Sequence, residues 1–246
     1  MSPSSSTPHL PSVTDSECTI LCFGDIHGHR AAAEAAVSLS EDLGVPTVFL
    51  GDYIDRGPDS AGVLRVMMAA SRRHPDWVFL LGNHDWMLKE ILEGRRHSEG
   101  FDERTFSETL PHLPCEERSS ILEWLRTRPA FFRSGQFIFV HGGFTDWSIP
   151  LEDVPIEEFL WTYGIPKAWQ GETVVRGHAL VERVEIRLRD ININTRCGFG
   201  GYLTGLLVDT TQARCMRSWQ ISEGGQTIES TATVVPNLTT CCNQHT

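Results

Sequence analysis

The stretch TILCFGDIHGHRAAAEAAVSLSEDLGVPTVFLGDYIDRG, residues 19–57, contains two short apolar runs that each lead into a Gly-Asp motif. The runs TILCF (19–23) and TVFL (47–50) are rich in β-branched and aromatic residues, which predicts buried strands. The segment between them consists largely of helix-forming residues and stops at Gly44, so it predicts a helix. A strand, a helix and a second strand in this order are typical of α/β proteins.

Three more apolar runs, WVFLL, FIFV and TVV, are also followed by polar motifs. The complete series is GDIHG (24–28), GDYIDRG (51–57), GNHD (82–85), HGG (141–143) and RGH (176–178). Loops at the carboxyl ends of strands in an open α/β sheet gather ligands, because the rigid sheet fixes the spacing of the side chains they carry. We therefore expect the five motifs to form one site.

The pattern changes after the third motif. Residues 95–130 have no clear strand, and ERSSILEWLRTRP has helical periodicity, which predicts a small helical insertion that shapes the substrate groove. From about residue 136 onward, strands separated by Gly-containing turns follow one another, including one across VEIRLRDININ. Alternating strands and helices followed by consecutive strands predict an α/β fold: a two-sheet sandwich flanked by helices.

The two ends of the chain differ from its centre. Residues 1–17 are rich in Ser, Pro and Thr and lack the basic and apolar regions of a signal peptide, so they predict a disordered tail. The segment 223–246 follows the last predicted strand and predicts a second tail. A single folded domain is expected over residues 18–222.

Composition excludes several classes of partner. No stretch is long and apolar enough to span a membrane. The formal net charge of −11 argues against a nucleic-acid polymer as partner, because binding to that backbone depends on clusters of Lys and Arg. The seven cysteines are an odd number without the spacing of metal ligands, which favours a reducing, cytoplasmic location.

The polar side chains of the five motifs are hard oxygen and imidazole ligands, which suit manganese, iron or zinc. Asp25 and His27 lie two residues apart in an extended segment, so both can reach one ion. Asp52 can bridge two ions about 3.5–4 Å apart. The other predicted ligands of the second ion are Asn83, His141 and His178. A water held between two divalent ions becomes hydroxide near neutral pH and is aimed at phosphorus.

Three further residues predict the rest of the chemistry. His84 stands beside Asn83 but is not needed for coordination, which makes it the candidate proton donor to the leaving group. Asp55 can accept an N–H from its ring and favour the charged form. Arg56 presents a planar fork that matches phosphate oxygens. Arg56, Asn83 and His84 are the expected substrate contacts.

At these residues the chain resembles the PPP-type serine/threonine phosphatases of the calcineurin-like metallophosphoesterase superfamily, particularly their compact bacterial and phage forms. The resemblance runs from about Thr19 to Asp209 and includes ININTRCGFGGYLTGL (191–206) as a closing strand-turn-strand segment. It implies a first metal ion on Asp25, His27 and Asp52. It implies a second ion on Asp52, Asn83, His141 and His178, an acid pair of Asp55 and His84, and Arg56 as a phosphate clamp.

Two positions depart from the pattern of the protein phosphatases. Those enzymes usually carry a second phosphate-binding Arg between the HGG and GH motifs, and Tyr163 occupies that place here. The third motif ends in Asp85, where the eukaryotic enzymes commonly have Glu. The Asp form is similar to diadenosine tetraphosphatases, although those usually lack the second Asp of GDYIDRG, present here as Asp55.

These residues predict a metal-dependent phosphoester hydrolase whose nucleophile is a hydroxide bound to two divalent metal ions, with manganese expected in vitro and iron or zinc as alternatives. The leading hypothesis is a serine/threonine phosphoprotein phosphatase, with a phosphorylated protein or a small phosphoester as partner. A dinucleoside polyphosphate hydrolase, or another nucleotide hydrolase, is the first alternative. A non-catalytic phosphate-binding protein is the second.

Overall fold

The computed structural model describes residues 19–95 and 105–230. The predicted tail 1–17 lies outside the described residues. Within the described ranges, eleven strands form two sheets and five α-helices accompany them. No helix in this part of the chain is long and apolar enough to cross a membrane.

The elements follow the predicted pattern of strands alternating with helices and then consecutive strands, except that a helix, Ile156–Trp161, lies between two of the later strands. The strands are β1 (Thr19–Phe23), β2 (Thr47–Phe49), β3 (Val78–Phe79), β4 (Phe131–Ser134), β5 (Phe137–Val140), β6 (Thr173–Arg176), β7 (Glu185–Arg187), β8 (Asp190–Asn192), β9 (Tyr202–Asp209), β10 (Arg214–Ser222) and β11 (Thr227–Ser230). The helices are α1 (Arg30–Leu43), α2 (Ser60–Arg73), α3 (Asn83–Leu92), α4 (Arg118–Arg126) and α5 (Ile156–Trp161). The predicted α/β sandwich of two sheets flanked by helices is confirmed.

Each sheet contains three neighbouring parallel strands. In the described chain the first sheet has the order β11-β10-β9-β1-β2-β3, with β1, β2 and β3 parallel and the other three strands antiparallel to their neighbours. The second has the order β4-β5-β6-β8-β7, with β5, β6 and β8 parallel. The carboxyl ends of the parallel strands are where the polar motifs emerge.

The period of two along β1 separates two hydrophobic cores. Ile20 and Cys22 point to one face of the first sheet and pack against the second sheet, in a core that includes Phe139 and Val175. Leu21 and the other alternate residues point to the opposite face and pack against the helices. A third core covers the outer face of the second sheet. Both sheets are thus held rigidly behind the loops.

The helix boundaries agree with the sequence signals at α1 and α2. Gly44 takes a left-handed backbone conformation (φ 61°) at the end of α1, which glycine adopts without steric cost. The side chain of Asp59 accepts a hydrogen bond from Gly62 N (2.7 Å) and caps α2. Helix α3 begins at Asn83, directly after the third motif's glycine, so Asn83 and His84 lie in its first turn.

The later part of the chain corrects several details. Helical turns and α4 occupy the described part of the predicted insertion at 95–130, but β4 follows directly and was missed. The strand predicted across VEIRLRDININ is a hairpin of β7 and β8, because Arg189 takes φ 61° and reverses the chain. The predicted tail 223–246 contains β11, which pairs with β10, so the sheet continues beyond residue 222 to Ser230.

Candidate active site

The five motifs meet where the parallel strands of both sheets end. The site residues are Asp25 and His27 after β1, Asp52, Asp55 and Arg56 after β2, Asn83 and His84 after β3, His141 after β5, and His178 after β6. Contacts cross between the sheets: His141 Nδ1 donates to the carbonyl oxygen of Leu50 (3.0 Å). The predicted convergence of the motifs is therefore confirmed.

Five of these residues have strained backbones. Their φ angles are positive: His27 49°, Asp52 53°, Asp55 67°, Arg56 70° and His178 59°. A residue with a Cβ rarely adopts this region, and such strain persists only where the surroundings enforce it. The concentration of strain in the motif loops marks them as a built site rather than ordinary turns.

The carboxylate of Asp85 fastens the β2 loop to the start of α3. Its oxygens accept hydrogen bonds from three backbone N–H groups, those of Asp52 (2.7 Å), Tyr53 (3.0 Å) and Gly82 (2.9 Å). Burial, reinforced by the charge of Asp52, raises the pKa of Asp85 to about 8. A Cβ at Gly82 would lie 2.2 Å from Asp52 N, so only glycine permits this approach.

Backbone carbonyls orient two of the imidazoles. His27 Nδ1 lies 2.9 Å from the carbonyl oxygen of Ile54, and His141 Nδ1 contacts Leu50 in the same way. Since a carbonyl only accepts, each Nδ1 carries the proton and each Nε2 presents its lone pair to the site. Such outer contacts typically fix the orientation of metal-binding histidines.

Asp52 lies between two groups of donor atoms. Its Oδ2 is 3.6 Å from His27 Nε2 and 3.4 Å from His141 Nε2. Ligand atoms of Asp52, His27 and His84 lie within 4.8 Å of one another, and those of Asp52, His141 and His178 do likewise. Asp52 belongs to both groups, which is the position expected of a residue that bridges two ions.

Asp25 and Asn83 complete these groups. Asp25 Oδ2 lies 3.8 Å from His27 Nε2, and Asn83 Oδ1 lies 2.9 Å from His141 Nε2. Asn194, which the sequence reasoning missed, donates from Nδ2 to Asp25 Oδ2 (2.6 Å) and to the carbonyl oxygen of His178 (3.1 Å). Its position just after β8, another parallel strand, was the signal that could have found it.

The charges of the site fit cations. Asp25 and Asp52 are buried, and among the described residues neither forms an ion pair with Lys or Arg. Burial and the charge of Asp52 raise the pKa of Asp25 to about 7. Burial lowers the pKa of both His27 and His178 to about 3, so these imidazoles are neutral, the form that binds metals. Nε2 of His178 is buried and has no hydrogen-bond partner in the described part of the chain. These donors suit divalent metal ions.

His84 and Asp55 form a short hydrogen-bonded pair. His84 Nδ1 lies 2.5 Å from Asp55 Oδ2. Burial alone would lower the pKa of His84, but the charge of Asp52 and the bond to Asp55 outweigh it, and the pKa is raised. Burial would raise the pKa of Asp55, but His84 and two threonine hydroxyls outweigh it, and that pKa is lowered. The pair therefore favours a protonated imidazole beside a carboxylate.

The threonines come from the helical insertion and were not predicted. Thr105 Oγ1 donates to Asp55 Oδ2 and Thr109 Oγ1 donates to Asp55 Oδ1, both at 2.5 Å. The insertion also reaches Arg56, whose backbone N–H donates to Glu108 Oε2 (3.2 Å). The insertion was predicted to shape the substrate groove, but its described residues form hydrogen bonds to the β2 loop and do not line the cavity described below.

Arg56 reaches the same pocket from the β2 loop. Its Nη2 lies 3.3 Å from His84 Nε2, and its guanidinium carbon lies 4.4 Å from the ring centre of Phe199. The Nε of Arg56 is buried and has no hydrogen-bond partner among the described residues. By contrast, Arg176 is buried in β6 and paired with Asp190 (2.7 Å). Arg56 is therefore placed to bind an anion, and Arg176 is not.

A cavity of about 350 Å³ opens above these groups. Besides six of the predicted site residues, its walls contain Met87, Trp161, Tyr163, Leu180 and Phe199. Tyr163 is exposed, with its ring centre 4.5 Å from that of His178. The wall of the cavity is thus largely apolar and aromatic where it faces solvent.

The chain belongs to the calcineurin-like phosphoesterase family, whose model matches residues 18–194. The family is dinuclear metal-dependent, in agreement with the two donor groups that share Asp52. The matched region includes all nine predicted site residues and Asn194.

Among curated proteins the chain is similar to symmetrical bis(5'-nucleosyl)-tetraphosphatases. It is 29% identical over 167 residues to that of Methylococcus capsulatus, an alignment that covers 67% of this chain and 50% of the relative. It is 34% identical over 125 residues to that of Burkholderia thailandensis, covering 50% of this chain and 41% of the relative. The chain thus spans about half the length of these relatives, which are not named as protein phosphatases.

Solved structures share the fold at low sequence identity. A protein provisionally named a diadenosine tetraphosphatase superposes with a TM-score of 0.59 and 22% identity over 89% of this chain and 95% of its own. A cold-active protein-tyrosine phosphatase of a Shewanella species gives 0.56 and 16% over 87% and 80%. A Saccharomyces cerevisiae serine/threonine phosphatase gives 0.54 and 17% over 80% and 74%. At these identities the likeness establishes the fold alone.

Proposed function

We propose that this protein is a metal-dependent hydrolase that cleaves dinucleoside polyphosphates. The observation that carries hydrolysis is the pair of donor groups sharing Asp52, which open onto a cavity that also contains Arg56 and His84. The substrate class is supported by the names of the curated relatives, which match the alternative raised from the sequence better than the protein-phosphatase hypothesis.

The predicted ligand roles follow from the donor atoms. Asp25, His27 and Asp52 would hold one ion. Asp52, Asn83, His141 and His178 would hold the other. Two divalent ions, manganese being our choice for assays, would supply Lewis acidity to the phosphate and lower the pKa of a bound water.

The remaining side chains act on the substrate. Arg56 would hold phosphate oxygens with its guanidinium fork, because its Nε and Nη2 lie at the cavity beside His84. His84, protonated and held by Asp55, would donate a proton to the departing oxygen. In symmetrical cleavage of a tetraphosphate, water would attack one phosphorus of the central P–O–P bridge. The bridging oxygen would leave with the other half, giving two nucleoside diphosphates.

The pair of His84 and Asp55 favours a second candidate, a phosphomonoester hydrolase acting on phosphoserine or phosphothreonine. An alkoxide leaving group has a high pKa and requires a proton donor, whereas a phosphate leaving group departs readily without one. The pair of His84 and Asp55 would therefore increase the rate of hydrolysis most for the monoester. The two candidates therefore differ in how strongly they depend on His84.

A substrate comparison tests the proposal. Metal-replete protein is assayed with diadenosine tetraphosphate, a phosphoserine peptide and p-nitrophenyl phosphate, and kcat/KM is determined for each. We expect diadenosine tetraphosphate to have the highest value and nucleoside diphosphates to be its only products. The Asp52→Asn variant, purified in parallel, controls for a contaminating phosphatase.

Other outcomes identify the alternatives. A higher kcat/KM on the phosphopeptide would reject the proposal in favour of the monoester hydrolase. Binding of inorganic phosphate without turnover of any of the three substrates by the metal-replete protein would instead support the non-catalytic phosphate-binding alternative.

A further inference from the structure

Two exposed aromatic side chains adjoin different donor groups of the site. Tyr163 lies against His178, with ring centres 4.5 Å apart, and Phe199 lies edge-on to His27 at 6.4 Å. His178 belongs to one donor group around Asp52 and His27 to the other. Each ring therefore adjoins a different donor group, and Asp52 belongs to both groups.

Both rings present apolar surface at the mouth of the cavity. Tyr163 is 74% exposed and Phe199 is 41% exposed. Leu180, at 47%, extends the same apolar rim. Large apolar side chains collected around a polar site commonly mark a ligand-binding surface, whereas singly scattered ones need no explanation. A ligand that contacts both the donor groups and this rim would combine a charged part with apolar, planar parts.

The chemistry of each ring is consistent with stacking. The Arg56 guanidinium covers one face of Phe199, 4.4 Å from its centre, and the ring keeps exposed surface for a further planar group. Tyr163 contacts His178 at an angle of 41° and is otherwise exposed. Aromatic rings bind nucleobases by stacking whatever the base, because each base has a π face.

We propose that Tyr163 and Phe199 are stacking positions for the two nucleobases of a dinucleoside polyphosphate, one beside each donor group. This inference rests on the proposed function and deepens it. The phosphate chain lies over the donor groups and Arg56, while the two bases project toward the two rings. A phosphoserine peptide need not carry an aromatic group on either side of its phosphate, so it would not require the two rings.

The test replaces each ring by leucine, which keeps apolar surface but removes the π face. The variants are Tyr163→Leu and Phe199→Leu, and the matched control is Trp147→Leu, since Trp147 is 46% exposed and does not line the cavity. KM is measured for diadenosine tetraphosphate. Inorganic tripolyphosphate, which has no base, is measured as a competitive inhibitor, and bound metal is quantified in each variant.

We expect KM for diadenosine tetraphosphate to rise about 5- to 30-fold in each cavity variant, the effect of losing one base stack. The inhibition constant of tripolyphosphate should stay unchanged in Tyr163→Leu. In Phe199→Leu the inhibition constant of tripolyphosphate can also rise, because Phe199 packs against Arg56. The contribution of the base is then the factor by which KM rises beyond the rise in that inhibition constant. Tyr163→Phe should restore the wild-type KM, because it keeps the ring, and Trp147→Leu should leave KM unchanged.

An unchanged KM in both cavity variants would overturn the inference. So would equal rises in KM and in the tripolyphosphate inhibition constant, which would assign the rings to phosphate or metal binding. Failure of the proposed function looks different, because the wild-type protein then does not cleave diadenosine tetraphosphate. In that case diadenosine tetraphosphate and tripolyphosphate are each measured as inhibitors of p-nitrophenyl phosphate hydrolysis. Equal inhibition constants for the two compounds would reject base stacking.

Discussion

At the scale of single residues, the site separates charge binding from proton transfer. Asp52 lies within both donor groups, where burial opposes its ionisation, but His141, His84 and His27 hold its pKa well below the usual range. His84 faces Asp55 on one side and Arg56 on the other. One carboxylate is thus positioned for cations and the other for an imidazole.

Asp52→Asn should remove bound metal together with activity. The amide keeps the shape of the side chain but loses the charge that both donor groups share. Metal content measured by elemental analysis, with Asp146→Asn in an exposed loop as control, checks this. Two ions per chain retained in Asp52→Asn would contradict the bridging role.

His84→Asn should keep its metal but lower kcat by about 100- to 10,000-fold on a poor leaving group such as phenyl phosphate, the range for a lost general acid. On p-nitrophenyl phosphate, whose leaving group needs little protonation, the loss should be much smaller. The measurement is kcat for both esters with both proteins. Equal losses would mean that His84 does not protonate the leaving oxygen.

At the scale of elements, the insertion and α3 fix the β2 loop from two sides. The π-helical turn Thr105–Thr109 supplies two hydroxyls to Asp55. Thr109 also contacts Ser60 Oγ (3.0 Å), which in turn accepts from Asp55 N (2.9 Å). These bonds hold a backbone that is strained at Asp55, with φ 67°.

The double variant Thr105→Val, Thr109→Val should weaken the acid pair without releasing metal. Valine fills a similar volume but removes both hydrogen bonds to the buried carboxylate. We expect kcat to fall more on phenyl phosphate than on p-nitrophenyl phosphate, with unchanged metal content. Thr127→Val, in the same insertion but bonded to Trp124, is the control. An equal fall on both esters would indicate a general loss of structure instead.

Asp85→Ala should destabilise the fold more than Asp59→Ala. Asp85 accepts from three buried backbone N–H groups, which would lose their acceptor at a cost of about 1–3 kcal/mol each. Asp59 caps α2 through one such group, and losing a helix cap costs about 1 kcal/mol. Urea unfolding of both variants measures the difference. Equal free energies of unfolding would show that the β2 loop does not depend on Asp85.

At the scale of the whole molecule, metal binding should couple to folding. The chain has a net charge of −11, and its site concentrates carboxylates at the junction of both sheets. Asp25, Asp52, Asn83, His141 and His178 would hold cations from loops after five different strands, so bound cations would stabilise the folded state over the unfolded one.

Removal of metal by a chelator should therefore abolish hydrolysis and lower the melting temperature. At about 100-fold excess over Kd a ligand adds about 2.7 kcal/mol, which corresponds to about 5–10 °C for a domain of this size. Thermal denaturation and activity with chelator, and again after adding manganese, check both effects. Full activity in verified metal-free protein would reject the mechanism.

The sequence by itself determined the early alternation of strands and helices and the chemistry of the ligands. Apolar runs such as TILCF and FIFV predict buried strands from the local sequence alone, and the polar motifs follow them directly in the chain. Because parallel strands end at one edge of a sheet, Asp25 and Asp52 could be assigned to one site before any distance was known.

Only the tertiary structure decided which distant residues support that site. Thr105 meets Asp55 across 50 positions, and Asn194 meets Asp25 across 169. Such contacts produce no periodic pattern in the sequence. A Thr or Asn that supports the site cannot be distinguished there from the many polar residues that face solvent. The edge strand β11 was predicted as part of a tail, and only its pairing with β10 identifies it as a strand. Likewise, only the structure shows that Tyr163 and Phe199 lie near different donor groups.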